Sequence, residues 1–262
     1  MKKTVFALLS VAALAAANQA SAQLIFSEDF TGYTAGDLAG QGGWDVSSAN
    51  ASDKIMVVSG DLNFTGLPAQ SGAQAVQFEG AGEDLGRTFT AQATTAGTTL
   101  YYSMIVQFAD VATFVSPGGY FAHFTEGTTA TGTGFRGRLW VTETANAPQL
   151  GIDITSGDTP VLASTTLAYD TPIFVVVKLT YNSGTGDDTA QVFINQTGGT
   201  EPGTADATDT GVDLGAVGRF GLRQDSAAET PNVKVDRVRV GTTWASVIDS
   251  GSSSVQDWSM IH

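Results

Sequence analysis

The sequence predicts an all-β protein arranged as a two-sheet antiparallel β-sandwich. Apolar residues recur at every second position in many short runs, which is the period of a half-buried strand. The runs are separated by Gly, Asn, Asp, Ser and Thr, all turn formers, and the 3.6-residue period of an amphipathic helix is almost absent. About a dozen candidate strands result, a number that two stacked sheets accommodate.

In chain order, the first candidates lie near residues 24–30, 54–65, 74–78 and 85–89. Leu100, Tyr102, Met104, Val106 and Phe108 then alternate along one long strand that buries one face. A candidate at 119–125 precedes a strand in which Phe135, Gly137, Leu139 and Val141 form the apolar row, and another follows at 148–154. Ile173 to Tyr181 is apolar on both faces through Phe174 and Val176, as a central strand covered on both sides requires. Asn182-Ser183-Gly184-Thr185-Gly186-Asp187-Asp188 supplies turn chemistry before Ala190, Val192 and Ile194 restart the alternation, which predicts a long hairpin. The last candidates cover 217–222 and 233–240. In the final one Val233 and Val235 are odd-numbered while Val238 and Val240 are even-numbered, so a β-bulge is predicted at Asp236 and Arg237.

The segments outside this pattern concern export. Lys2 and Lys3 precede an apolar run from Val5 to Ala17, and the stretch closes on Ala20-Ser21-Ala22, so residues 1–22 read as a cleaved signal peptide. The run is shorter than the roughly 20 apolar residues that span a bilayer. The mature chain is expected to begin at Gln23 and to work outside the cytoplasm, secreted or at the cell surface. With no cysteine after the cut, no lipid anchor is expected, and no later stretch is apolar enough to insert in a membrane. Residues 23–249 read as one domain, and 250–262, opening on Ser250-Gly251-Ser252-Ser253-Ser254, as a flexible tail.

Lys2 and Lys3 leave with the signal, so 12 basic residues fall to ten against 26 acidic ones and the net charge moves from −14 to about −16. Such a surface argues against nucleic acid and anionic lipid as partners. The absence of cysteine removes disulfides, thiolate zinc sites and thiol nucleophiles together.

Phe26-Ser27-Glu28-Asp29-Phe30, Gly36-Asp37-Leu38 and Gly42-Gly43-Trp44 resemble the opening of secreted bacterial jelly-roll domains of the concanavalin A-like, laminin-G-like group. The hairpin Val175 to Asn195 and the close Val235-Asp236-Arg237-Val238-Arg239-Val240-Gly241-Thr242-Thr243-Trp244 resemble later strands of the same domains. The resemblance implies a concanavalin A-like jelly roll whose two terminal strands pair. It also implies a structural Ca2+, for which Glu28, Asp29 and Asp236 are the candidate carboxylates. Members of the group often precede a C-terminal sorting domain, for which no segment is seen here.

Laminarinase-type hydrolases of this fold use Glu-x-Asp-x-x-Glu on one strand, and that motif is missing. Glu126 and Glu143 are the acids nearest central strands, and read as solvated strand-end residues. His123, within Tyr120-Phe121-Ala122-His123-Phe124, reads as a packed strand histidine, and Glu201 to Asp213 as a solvated acidic loop. For ligand binding the sharpest cluster is Arg136, Arg138 and Trp140, on the face opposite the Phe135 row, with Tyr120 as a further candidate. Trp stacks on sugar rings and Arg donates forked hydrogen bonds, a combination suited to an acidic glycan. Arg219 and Arg223 extend the patch. The alternative is an outer face on which these arginines pair with local acids. Three functions stay open: a non-catalytic extracellular module for carbohydrate binding or cell-surface adhesion, which the sequence favours, a structural surface protein without a small ligand, and a divergent glycan-cleaving enzyme.

Overall fold

The computed structural model describes residues 23–48, 53–109, 118–155, 157, 159–226, 229, 230 and 232–248. The expected signal peptide and C-terminal tail lie outside the described residues. Along the chain run β1 (Leu24–Glu28), β2 (Gly36–Asp37), β3 (Trp44–Ser48), β4 (Met56–Ser59), β5 (Gln74–Phe78), β6 (Asp84–Thr88), β7 (Thr99–Phe108) and β8 (Gly119–Glu126). They continue as β9 (Phe135–Thr144), β10 (Ala147–Asp153), β11 (Val161–Leu162), β12 (Ile173–Thr180), β13 (Thr189–Ile194), β14 (Ala207–Thr210), β15 (Val217–Leu222) and β16 (Val233–Gly241), and a short helix, α1 (Trp244–Ile248), follows.

The strands form a two-sheet antiparallel β-sandwich. One sheet has nine strands, in the order β14-β13-β12-β7-β16-β5-β4-β2, with β1 also paired to β16. The other has seven, in the order β11-β10-β9-β8-β15-β6-β3. The core between them holds the predicted row of Leu100, Tyr102, Met104, Val106 and Phe108 from β7. Tyr102 meets Phe124 of β8 at 4.9 Å and Phe220 of β15 at 5.1 Å, so aromatic edges and faces tie the sheets together.

β12 is buried on both faces, as predicted. On the outer side of the nine-stranded sheet, Tyr101, Ile105, Phe174, Val176 and Phe193 form a second apolar cluster with Trp244, Val247 and Ile248 of α1. Trp244 packs edge-on against Phe193 at 5.1 Å and its Nε1 donates to Gly198 O at 2.7 Å. Five residues are too few for helical periodicity to register in a sequence, which is why α1 was not expected. β14 is a second departure: part of the acidic stretch 201–213 is an edge strand paired to β13. Asp206 and Asp209 in it accept the backbone N–H of Ile194 and Ile154, at 2.8 Å each, so these acids pin neighbouring strands rather than face solvent.

The predicted bulge is present in β16. Its register with β7 shifts between Asp236 and Arg239, and Arg237 takes φ +51°. Along the opposite edge of β16, Val233–Val235 pairs with β5, whereas Val238–Gly241 pairs with β1. The bulge marks this change of partner, and there the fully buried Asp236 accepts the N–H of Leu62 at 2.9 Å and of Arg237 at 2.6 Å. The terminal strands β1 and β16 are neighbours, as the resemblance implied.

A second irregularity joins β8 to β9. The register shifts twice, and Gly137 takes φ +53°. A Cβ there would stand 3.0 Å from Leu179 Cδ2 in the core, and the Gly137 carbonyl accepts the buried Tyr102 hydroxyl at 2.8 Å. Passing through this bulge, β9 changes which of its side chains face outward.

Candidate functional site

α1 and its cluster lie against the nine-stranded sheet, and in the seven-stranded one the central strands β9, β8 and β15 lie side by side. Trp140 of β9 stands opposite Tyr120 of β8, with ring centroids 5.7 Å apart. The Arg138 guanidinium lies over the Tyr120 ring at 4.8 Å and beside Trp140 at 5.5 Å. Arg223, just beyond β15, lies over the same Tyr120 ring at 4.1 Å. Tyr120 is thus in contact with two cations and an indole.

His123 and Phe135 continue the patch, packed at a tilt of 53° with centroids 4.4 Å apart, and both rings approach Tyr120, at 5.8 and 6.1 Å. The imidazole fits because Gly221, its cross-strand partner on β15, has no side chain: a Cβ there would meet the ring at 2.7 Å. Gly86 of β6 serves Arg219 in the same way, since a Cβ would lie 2.4 Å from its guanidinium. Two glycines on adjacent strands therefore let a ring and a guanidinium lie flat on the sheet.

Each arginine also has an acidic neighbour. Arg138 is hydrogen-bonded to buried Asp153 and to the Thr155 carbonyl, and Arg219 pairs with Asp45 at 2.5 Å. Arg223 Nη1 lies 2.7 Å from Asp225 Oδ2, close enough for an ion pair but without hydrogen-bond alignment. Burial depresses the pKa of His123 to about 3, an effect the backbone carbonyl of Phe124 opposes, so the ring is neutral at ordinary pH. Its Nδ1 lies 3.1 Å from that carbonyl, an arrangement that fits the Nδ1–H tautomer and leaves Nε2 as an acceptor. Burial raises the Tyr120 pKa against the pull of Arg223 and Arg138, and it raises that of nearby Asp84 to about 6.

Tyr120, Arg138 and Trp140 are thus brought together, but Arg136 is not. Its Nε donates to Glu126 at 2.8 Å and its Nη1 to Thr155 Oγ1 at 3.3 Å. The Gly137 bulge inverts the alternation upstream of it, so Phe135 takes the outward place expected of Arg136. Glu126 is held by Arg136 and by the Gly215 N–H, and Glu143 by the Tyr169 hydroxyl, so these two acids have separate partners and do not face each other across a shared one. Arg223 has the less complete partnership of the two arginines that extend the patch.

Each of the three candidate calcium ligands has donors within the protein. Glu28 is buried and its oxygens accept the Phe30 N–H, the Tyr33 hydroxyl, Trp44 Nε1 and Arg87 Nη1. Asp236 is occupied by two backbone N–H groups, and Asp29 is exposed and accepts the Thr31 N–H. Among the described residues no group of three His, Cys, Asp or Glu side chains is placed to hold a metal ion. Glu28 thus has four donors, Asp236 two and Asp29 one. Among the described residues no helix is long and apolar enough to cross a membrane.

No family model and no curated protein sequence matches the chain. In three dimensions it is similar to the globular domain of T. cruzi calreticulin, with a TM-score of 0.52 at 12% identity over 87% of this chain and 91% of that one. The fold is a jelly roll. Lesser likenesses are to an endo-β-1,4-glucuronan lyase from the fungus Trichoderma reesei, with a TM-score of 0.48, 17% identity and coverage of 86% and 98%. Domain 4 of a GH43 extracellular arabinanase from Geobacillus stearothermophilus, solved with arabinotriose, gives 0.45, 13%, 87% and 98%.

Proposed function

We propose that this is an exported, non-catalytic carbohydrate-binding protein that serves glycan capture or cell-surface adhesion, its ligand lying along the outer face of the seven-stranded sheet. The observation that supports this is the Tyr120 ring held against Trp140 and flanked by Arg138 and Arg223. Aromatic rings offer sugars an apolar face, and guanidinium forks reach their oxygens. Titration calorimetry against a panel of soluble polysaccharides tests the reading. Trp140→Ala and Tyr120→Ala are expected to weaken binding about tenfold or more, near 1.4 kcal/mol, while Met56→Ala on the other sheet leaves it unchanged. If no member of the panel binds, or if the two aromatic variants bind as the unaltered protein does, the reading falls.

A second reading, cleavage of the bound glycan, is favoured by one observation. Tyr120, His123 and Asp84 are three titratable groups of the same sheet with displaced pKa values, a pattern that clusters at reactive sites. Prolonged incubation with each bound polysaccharide separates the two. New reducing ends, or the ultraviolet absorbance of a new carbon–carbon double bond, would support cleavage, and unchanged chain length would support binding alone.

A further inference from the structure

Two N–H groups on this face are buried without an acceptor, Trp140 Nε1 and Arg138 Nε, and a third, Arg223 Nη1, has only the ion pair with Asp225 at 2.7 Å. All three belong to side chains that touch the Tyr120 ring. A buried donor without a partner costs about 1–3 kcal/mol, and more when charged, so folded chains seldom keep one. Two such donors, with a poorly aligned arginine beside them around a single ring, mark a place prepared for acceptor atoms that come from outside.

The protein's own acids do not fill that role. Asp153 is engaged with the Arg138 Nη2 group and the Thr155 N–H, and Asp45 with Arg219. Asp225 stands beside Arg223 Nη1 but out of line with its N–H. Sugar hydroxyls satisfy the donors only in part, because each hydroxyl brings an O–H that needs an acceptor in turn. A carboxylate accepts without donating, and its bonds to charged donors are roughly twice as strong as neutral ones. Its planar pair of oxygens also matches a guanidinium fork.

We propose that the Tyr120 cluster is a subsite for a hexuronate residue: the pyranose ring stacks on the partly exposed Trp140, which Tyr120 backs, and its carboxylate accepts from Arg223 Nη1 and Trp140 Nε1. This rests on the glycan-binding reading of the same face. Arg138, fixed by Asp153, keeps the Tyr120 ring in place while Arg223, partly exposed and loosely partnered, swings to meet the ligand.

The test compares polygalacturonate, alginate and glucuronan with their methyl esters, which keep the rings and cap the charge, and with a sulfated galactan and a neutral β-glucan. At least one polyuronate is expected to bind about tenfold or more tightly than its ester. Trp140→Phe keeps an aromatic face and removes the N–H, and Arg223→Gln removes the charge. Each is expected to bring the acid down to the level of its ester, with thermal melts confirming that the variants are folded. An ester that binds as well as its acid, a sulfated galactan that binds better than every polyuronate, or a folded Trp140→Phe that keeps the full preference would overturn the proposal while leaving glycan binding intact. Absence of binding to all the polysaccharides, neutral ones included, would instead remove the glycan reading on which it rests.

Discussion

Asp236 shows how one side chain can set a property of the whole fold. Burial raises its pKa to about 7, against the two N–H bonds that favour its charged form, and Asp61 and Asp29 add to the rise. A carboxyl with a folded pKa above its unfolded value of about 3.9 stabilises the protein fully below that unfolded value. The contribution is lost as pH climbs through about 7, at about 1.4 kcal/mol per unit and so up to about 4 kcal/mol. Thermal melts from pH 4 to 8 are therefore expected to show a decline that Asp236→Asn flattens, and an equal decline in both proteins would contradict the assignment. Tyr102 is a second such residue. Tyr102→Phe leaves the Gly137 carbonyl without its buried donor, an expected loss of about 1–3 kcal/mol in urea unfolding with little change of slope.

At the scale of the element, the two bulges explain what could be read in advance. The slip in β16 was visible because valines stand on both sides of it and change parity across it. In β9 the row Phe135, Gly137, Leu139 and Val141 keeps its spacing through the bulge, because a glycine carries no polarity to betray which face it occupies. Alternation alone therefore puts Arg136 on the outer face with Arg138 and Trp140, whereas only the latter two, beyond the bulge, meet Tyr120. Gly137→Ala tests the element directly. Its positive φ and the 3.0 Å approach to Leu179 predict a loss of at least about 1–2 kcal/mol. Glycan affinity is expected to fall with it as Arg138 and Phe135 are re-aimed, and unchanged stability in a denaturant titration would show that the strand tolerates a regular ladder.

At the scale of the molecule, the two outer faces differ in kind. One is apolar and carries α1, the other is aromatic and cationic in a chain whose formal charge is −14. Trp244→Ala, at the buried contact of α1, is expected to cost about 3–5 kcal/mol and to leave glycan affinity unchanged. Loss of both together, measured below the melting temperature, would mean that the faces are coupled. Most long strands were legible because alternation is a local signal, whereas β2 and β11, with two residues each, offer no period to detect. Sheet order was not legible, since it depends on pairings between residues far apart in the chain.

The pairing of β1 with the second half of β16 brings Leu24 against Gly241, and just beyond the two strands the Gln23 N–H donates to Thr242 Oγ1, 219 positions away in the chain. Closing so long a loop brings its reward only at the end. During synthesis the first strand therefore has no partner until almost the whole chain has emerged, and the sandwich cannot seal early. A polypeptide that stays open until β16 arrives shields the edge of β1 only when that strand has been made.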